Sequence, residues 1–312
     1  MDNFTVCFNA VFPAFLLMLI GYLTKRAGII SQEMVAAFNK VVFNIFMPFM
    51  VFYNLYNTDI ANAIRPNALL FCILGVLLEL VIGILYAEKF VKNREDRAVI
   101  IMAAYRSNFA MIGIPIASSL VAGSDFGIII MLLAVIIPIY NAVAVILLSI
   151  YGEEKVSVKT LVVKILKNPL IIGSAFGIFF LLTGLTLPMP ILKAAGDMAQ
   201  VASPMLLFLV GAFFRFEGIG KDSRQLLAAT LMRLVLMPGL CLFAAMALGF
   251  RGVDFAGFIG VFAASGAVGA YSMTQEMGGN ARLAGNIVVI TSVLSPLTVF
   301  IWSLLFKTLG TF

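Results

Sequence analysis

Four ionisable side chains fall inside or beside long apolar runs: Glu79, Arg106, Arg233 and Glu276. Placing such a group in hydrocarbon costs about 2.5–3.5 kcal/mol, so each needs a partner or a task. Arg106 stands two positions before Asn108, and Asn108 precedes Gly113-Ile114-Pro115. A guanidinium fork beside an amide with two donors and an acceptor suits recognition of a carboxylate. The competing reading of Arg106 is a structural ion pair, or a side chain reaching back to the membrane interface. Glu79, in Leu77-Leu78-Glu79-Leu80, is the deepest acid. Apolar surroundings favour its neutral form, which makes it a candidate proton carrier or a neutral partner for Arg233 or Arg106. Glu276 and Arg233 stand nearer the ends of their runs and read as structural.

Other chemistries are excluded by residues the chain does not have. It contains no histidine, which removes Ser-His-Asp and Cys-His nucleophiles and His-ligated zinc. Cys7, Cys72 and Cys241 stand alone in apolar stretches, so neither a disulfide framework nor a thiolate metal site is supported. No cofactor is expected. Of 312 residues, 62% are hydrophobic and 12% charged, against about 25% charged in soluble proteins. Such a chain cannot cover a water-facing surface. It reads as an all-α polytopic membrane protein.

Runs of apolar residues long enough for the ~30 Å hydrocarbon core fall at 4–24, 37–58, 67–89, 97–121, 126–151, 162–185, 190–213, 226–249, 255–277 and 284–308. They are continuous and do not alternate, so helices rather than barrel strands are implied. Asp2 and the lack of any basic residue before the first run predict that this span is retained. With ten spans, 15 Lys and Arg residues fall in odd-numbered loops and 4 in even-numbered loops and the C-terminal tail. The positive-inside rule then places both termini outside the cytoplasm of a cell whose cytoplasmic membrane the chain crosses many times. The net charge of +6 is a signal of topology, and no nucleic acid is needed to explain it.

Pro13, Gly21, Gly28 and Pro48 recur 156 residues later as Pro169, Gly177, Gly184 and Pro204, and Gly113 recurs as Gly269. The chain therefore reads as two five-helix halves, 1–151 and 160–312, joined by a basic cytoplasmic linker at 152–159. Five is odd, so the second half is inverted. Inverted repeats place a substrate near the membrane midplane, where discontinuous helices from each half meet. In span four, Pro115 lacks an N–H and clashes with the preceding turn, so the ladder is expected to open around residues 111–115. The alternative there is an ordinary kink. Its counterpart in span nine is the small-residue stretch Ala263 to Tyr271, which permits close backbone crossing and reads equally as plain helix packing.

Asn44-x3-Pro48, Asn108-x4-Gly113-Ile114-Pro115, Asn168-Pro169, Gln275-Glu276 and the Thr291/Pro296 region, in this order, resemble the auxin efflux carrier family in its short bacterial form. The likeness runs along nearly the whole chain. It implies ten helices in an inverted repeat similar to the bile-acid sodium symporter fold, with a scaffold set, a transport set and a crossing of helices four and nine. It also implies organic acids such as malonate or malate as substrates in bacteria, and auxin in plants. One departure stands out: relatives carry proline in the span-nine crossing where this chain has Ser265. Gly266 and Gly269 would have to allow the unwinding.

The resulting expectation is a transporter whose substrate carboxylate meets Asn108, Arg106 and backbone around Gly113, Pro115, Ser265, Gly266 and Gly269. Asn44, Pro48 and Gln200 would line the neighbouring wall. A proton at Glu79 or a sodium ion would drive it, with lipid and a second copy of the chain as further partners. A channel, a transporter-like sensor and a membrane enzyme are the competing classes. The last lacks any acidic metal motif or paired nucleophile and base.

Overall fold

Local rules set most helix boundaries, as a computed structural model of the chain shows. It describes all residues except 1–2, 58–64, 114–115, 118–119, 121–126, 153–162, 164–165 and 214–218. Most of the expected linker therefore lies outside the described residues. Helix α1 is Asn3–Arg26 and α2 is Gln32–Tyr56. Helix α2 begins earlier than its apolar run because the Ser31 hydroxyl caps the Met34 N–H. Next come α3, Pro66–Phe90, α4, Arg94–Tyr105, and α5, Gly127–Tyr151. Helix α6, Pro169–Thr183, opens with proline at its first position under an Asn168 cap. Helix α7 is Met189–Phe213, and α8 runs Ile219–Leu231, Met232–Leu236 and Met237–Ala247. Helices α9, Gly252–Ala263, α10, Val268–Met277, and α11, Ala281–Thr308, complete the order.

The molecule is all-helical, with no strand among the described residues. Among the described residues, six helices are long and apolar enough to cross a membrane by length and composition. Their burial pattern suits lipid. On α3, Leu70, Leu74, Leu77, Val81 and Leu85 face outward, while Cys72, Gly75, Glu79 and Gly83 face inward. The outer stripe is more apolar than the inner one, the reverse of a soluble helix.

Three wide π turns, Val42–Phe46, Phe109–Gly113 and Met232–Leu236, each end two residues before a proline: Pro48, Pro115 and Pro238. Proline removes one N–H from the ladder, and the turn widens by a residue to re-pair the carbonyls. The bonds show it: Met47 N–H reaches Val42 O, Gly113 N–H reaches Asn108 O, and Met237 N–H reaches Met232 O, each five residues back.

Helix α1 packs on α7 at backbone range. A Cβ on Gly21 would lie 1.9 Å from the Phe208 oxygen, and one on Gly211 would lie 1.8 Å from the Met18 oxygen. Helix α6 packs on α2 in the same manner, with Gly173 against the Pro48 backbone and Gly177 against Leu55. Small residues are what allow membrane helices to approach this closely.

Candidate functional site

The helix in span four breaks earlier than its proline suggests. Helix α4 ends at Tyr105, and Arg106 to Asn108 run extended before the π turn at Phe109–Gly113. Span nine breaks as well, although it has no proline: α9 ends at Ala263 and α10 resumes at Val268. The physical reason is mutual. The two extended stretches pair antiparallel at Ser107 and Gly266, with Asn108 N–H donating to Ser265 O at 2.8 Å and Ala267 N–H to Arg106 O at 3.1 Å. Each break supplies the hydrogen bonds that the other lost, which is how unwound backbone is tolerated at membrane depth. Gly113 and Gly260 close the crossing, since a Cβ on either would meet the other's carbonyl oxygen at 2.2 and 2.6 Å.

A small cavity of about 60 Å³ lies against this crossing. Arg106, Asn108, Asn141 of α5, Ala267, Val268 and Gly269 are among its lining residues. Arg106 donates from Nη2 to Asn141 Oδ1 at 2.8 Å and from Nη1 to Met273 Sδ at 2.7 Å. That contact fixes the Asn141 amide with its oxygen toward the cation. The Nδ2 groups of Asn141 and Asn108 are then buried donors without a hydrogen-bond partner among the described residues, in side chains only 2% and 6% exposed. Ser107 Oγ and Tyr140 Oη are hydrogen-bonded at 3.2 Å. Helix α10 begins at the cavity with no side-chain cap, so its first turn presents N–H groups and a partial positive charge. A guanidinium, two amide donors and an uncapped helix start are groups whose chemistry suits an anion.

The crossing thus gathers Arg106, Asn108, Gly113, Ser265, Gly266 and Gly269. Ser265 Oγ is tied to Ser292 Oγ at 3.3 Å, and Gly266 N–H to Thr291 Oγ1 at 3.1 Å. Pro115 lies outside the described residues. The other expected wall residues are elsewhere. Asn44 is exposed and donates to Lys40 O, Gln200 is exposed on α7, and neither lines the cavity. Pro48 lines a larger open groove of about 760 Å³ between α2, α6 and α7. Every side chain of that groove is apolar, so it offers lipid a seat and a carboxylate no donor.

Glu79 and Arg233 form a pair at 3.8 Å, both wholly buried. Arg233, whose place in the run suggested a mainly structural residue, is therefore enclosed by protein on every side. Glu276 accepts from Asn39 Nδ2 of α2 at 3.1 Å, a structural contact between α2 and α10. Sequence reasoning passed over Asn141 and Tyr140. The one usable signal was an asparagine inside the otherwise apolar run of α5.

A family described as membrane transport protein matches residues 6–303 of the chain. An uncharacterized transporter of Methanothermobacter thermautotrophicus is 22% identical over 298 residues, which is 95% of this chain and 97% of that protein.

Proposed function

We infer the function from this membership: the chain belongs to the membrane transport protein family, the auxin efflux carrier family of the resemblance above. The proposed activity is secondary active transport of a small organic anion, a mono- or dicarboxylate, across the cytoplasmic membrane by alternating access. The observation that carries it is the crossing, where two helices break together and aim donors at one small cavity. Secondary transporters use such discontinuous helices to hold substrate at the midplane.

In this reading ten spans form two inverted five-helix repeats, 1–151 and 160–312. Three features support it. Gly28 and Gly184, both left-handed, follow α1 and α6. Helix α1 packs on α7 as α6 packs on α2. The first halves of the two broken helices, α4 and α9, are 12 residues each. Both termini then lie outside the cytoplasm. In a background free of native cysteines, Ser31→Cys and Thr186→Cys should label from opposite sides of sealed vesicles. Labelling of both from one side would refute the ten-span arrangement.

The function is tested by uptake of labelled acetate, malonate and malate into proteoliposomes, with and without proton and sodium gradients. Uptake that saturates and responds to a gradient is expected, and absence of any carboxylate uptake overturns the proposal. Proton coupling through Glu79 belongs to the same reading, because Glu79 is an acid held wholly inside the protein beside Arg233. Glu79→Gln should remove proton-driven uptake and leave counterflow exchange in place. PH-driven uptake that persists in this variant assigns coupling to another group.

A further inference from the structure

Breaking two helices at one point strands carbonyls as well as N–H groups. In an unbroken α4, Ala104 O would accept from the N–H four residues on, that of Asn108. That N–H is spent on Ser265 O across the crossing. In an unbroken α9, Phe262 O would accept from the N–H of Gly266, which is spent on Thr291 Oγ1 at 3.1 Å. These two orphaned carbonyls are the ones that Arg233 takes up. Its Nη1 donates to Ala104 O at 3.0 Å, and its Nη2 donates to Phe262 O.

The electrostatics agree with the geometry. A helix C-terminus carries about half a unit of negative charge, so the two ends together present roughly one unit. One guanidinium matches that, and its planar fork has two donors spaced to reach both ends at once. Arg233 arrives there from the wide turn Met232–Leu236 of α8. Glu79 stands beside it at 3.8 Å, and neither carboxylate oxygen makes a hydrogen bond among the described residues. The crossing is therefore two-faced. The starts of the second halves, Phe109 and Ala267 to Gly269, line the anion cavity, and the ends of the first halves hold a built-in cation.

We propose that Arg233 is a positioning residue of the transport site: by bridging Ala104 O and Phe262 O it fixes the two half-helix ends, and through them the bridge that holds Asn108 at the cavity. This rests on the reading of the cavity as the substrate site, but its first measurement does not use substrate. Hydrogen exchange of the Asn108 and Ala267 amides reports directly on the bridge.

The deciding variant is the double substitution Arg233→Met with Glu79→Met. Replacing a buried ion pair by apolar side chains of similar volume leaves no buried charge unpaired, so the double variant should remain folded, with a thermal midpoint lowered only by the loss of the donor to Ala104 O and Phe262 O. The crossover amides should nevertheless exchange at least about tenfold faster, the scale of one lost charge-assisted hydrogen bond. Facilitated carboxylate exchange across proteoliposomes should fall by a similar factor. Wild-type protection of both amides overturns the proposal, and so does faster amide exchange with undiminished carboxylate exchange. Arg233→Lys decides the matter if the double variant does not fold. It keeps the charge beside Glu79 but not the fork, and should still deprotect at least one of the two amides; full protection of both counts against the proposal. A wild type that moves no carboxylate, with amide exchange behaving as expected, instead brings down the transport reading and leaves Arg233 as a brace of the crossing.

Discussion

Asn108→Ala should weaken binding of a carboxylate substrate by about 10- to 150-fold, the equivalent of one hydrogen bond to a charged group at about 1.5–3 kcal/mol. The fold should survive the change. The backbone of Asn108 does the structural work: its N–H pairs with Ser265 O, and its carbonyl accepts from Ile112 and Gly113. The side chain lines the cavity with Nδ2 buried and unpartnered among the described residues, a cost that a ligand would repay. Alanine therefore removes an unsatisfied donor, and the thermal midpoint should hold or rise slightly. Titration calorimetry on purified protein with a carboxylate that the wild type transports gives the answer. An unchanged Kd would move the site away from the crossing. Arg106→Gln separates two forms of the idea. A comparable affinity loss makes the guanidinium the anion's partner, whereas loss of folded protein alone assigns it to the contacts with Asn141 and Met273.

Gly211→Leu should give no monodisperse, folded protein. A Cβ at Gly211 would lie 1.8 Å from the Met18 carbonyl oxygen and 2.5 Å from its carbon, and both are backbone atoms that cannot rotate aside. Helices α1 and α7 would have to separate along their whole contact. Overpacking typically costs about 1–3 kcal/mol where side chains can yield, and more where they cannot. Stabilities of about 5–15 kcal/mol leave little room for that. Gly21→Leu, facing the Phe208 oxygen at 1.9 Å, should behave the same way. Gly285→Ala is the control, because its new Cβ would meet Phe213 at an ordinary 3.4 Å. Size-exclusion profiles and thermal midpoints in detergent compare the three. A monodisperse Gly211→Leu protein with a wild-type midpoint would show that the α1–α7 contact is dispensable.

Membrane residence, all-helical structure, the helix start at Asn168-Pro169 and the existence of a break in span four were legible in the chain. These follow from interactions that are summed along the chain or close within one turn: hydropathy over about 20 residues, caps that bond two or three positions away, and prolines that remove one donor. The family resemblance was legible too, through motifs whose order and spacing survive where single residues are ambiguous. The placing of the breaks was decided elsewhere. Pro115 pointed to residues 111–115, yet the extended backbone lies at 106–108, because that is where Ser107 finds Gly266. Ser265 replaces proline, yet span nine still opens, because an N–H lost to its own helix is regained from another. The same holds for side chains. Nothing in the run around Arg233 names its partners, which are two stranded carbonyls on other helices. Asn44 and Gln200 share a repeat position but turn away from the cavity, and Asn141 joins it from a helix with no motif at all. A sequence records what each residue prefers within a turn or so. Which broken backbone meets which, and which charge is called in to satisfy it, depends on segments more than a hundred residues apart in the chain, and is settled only when they pack.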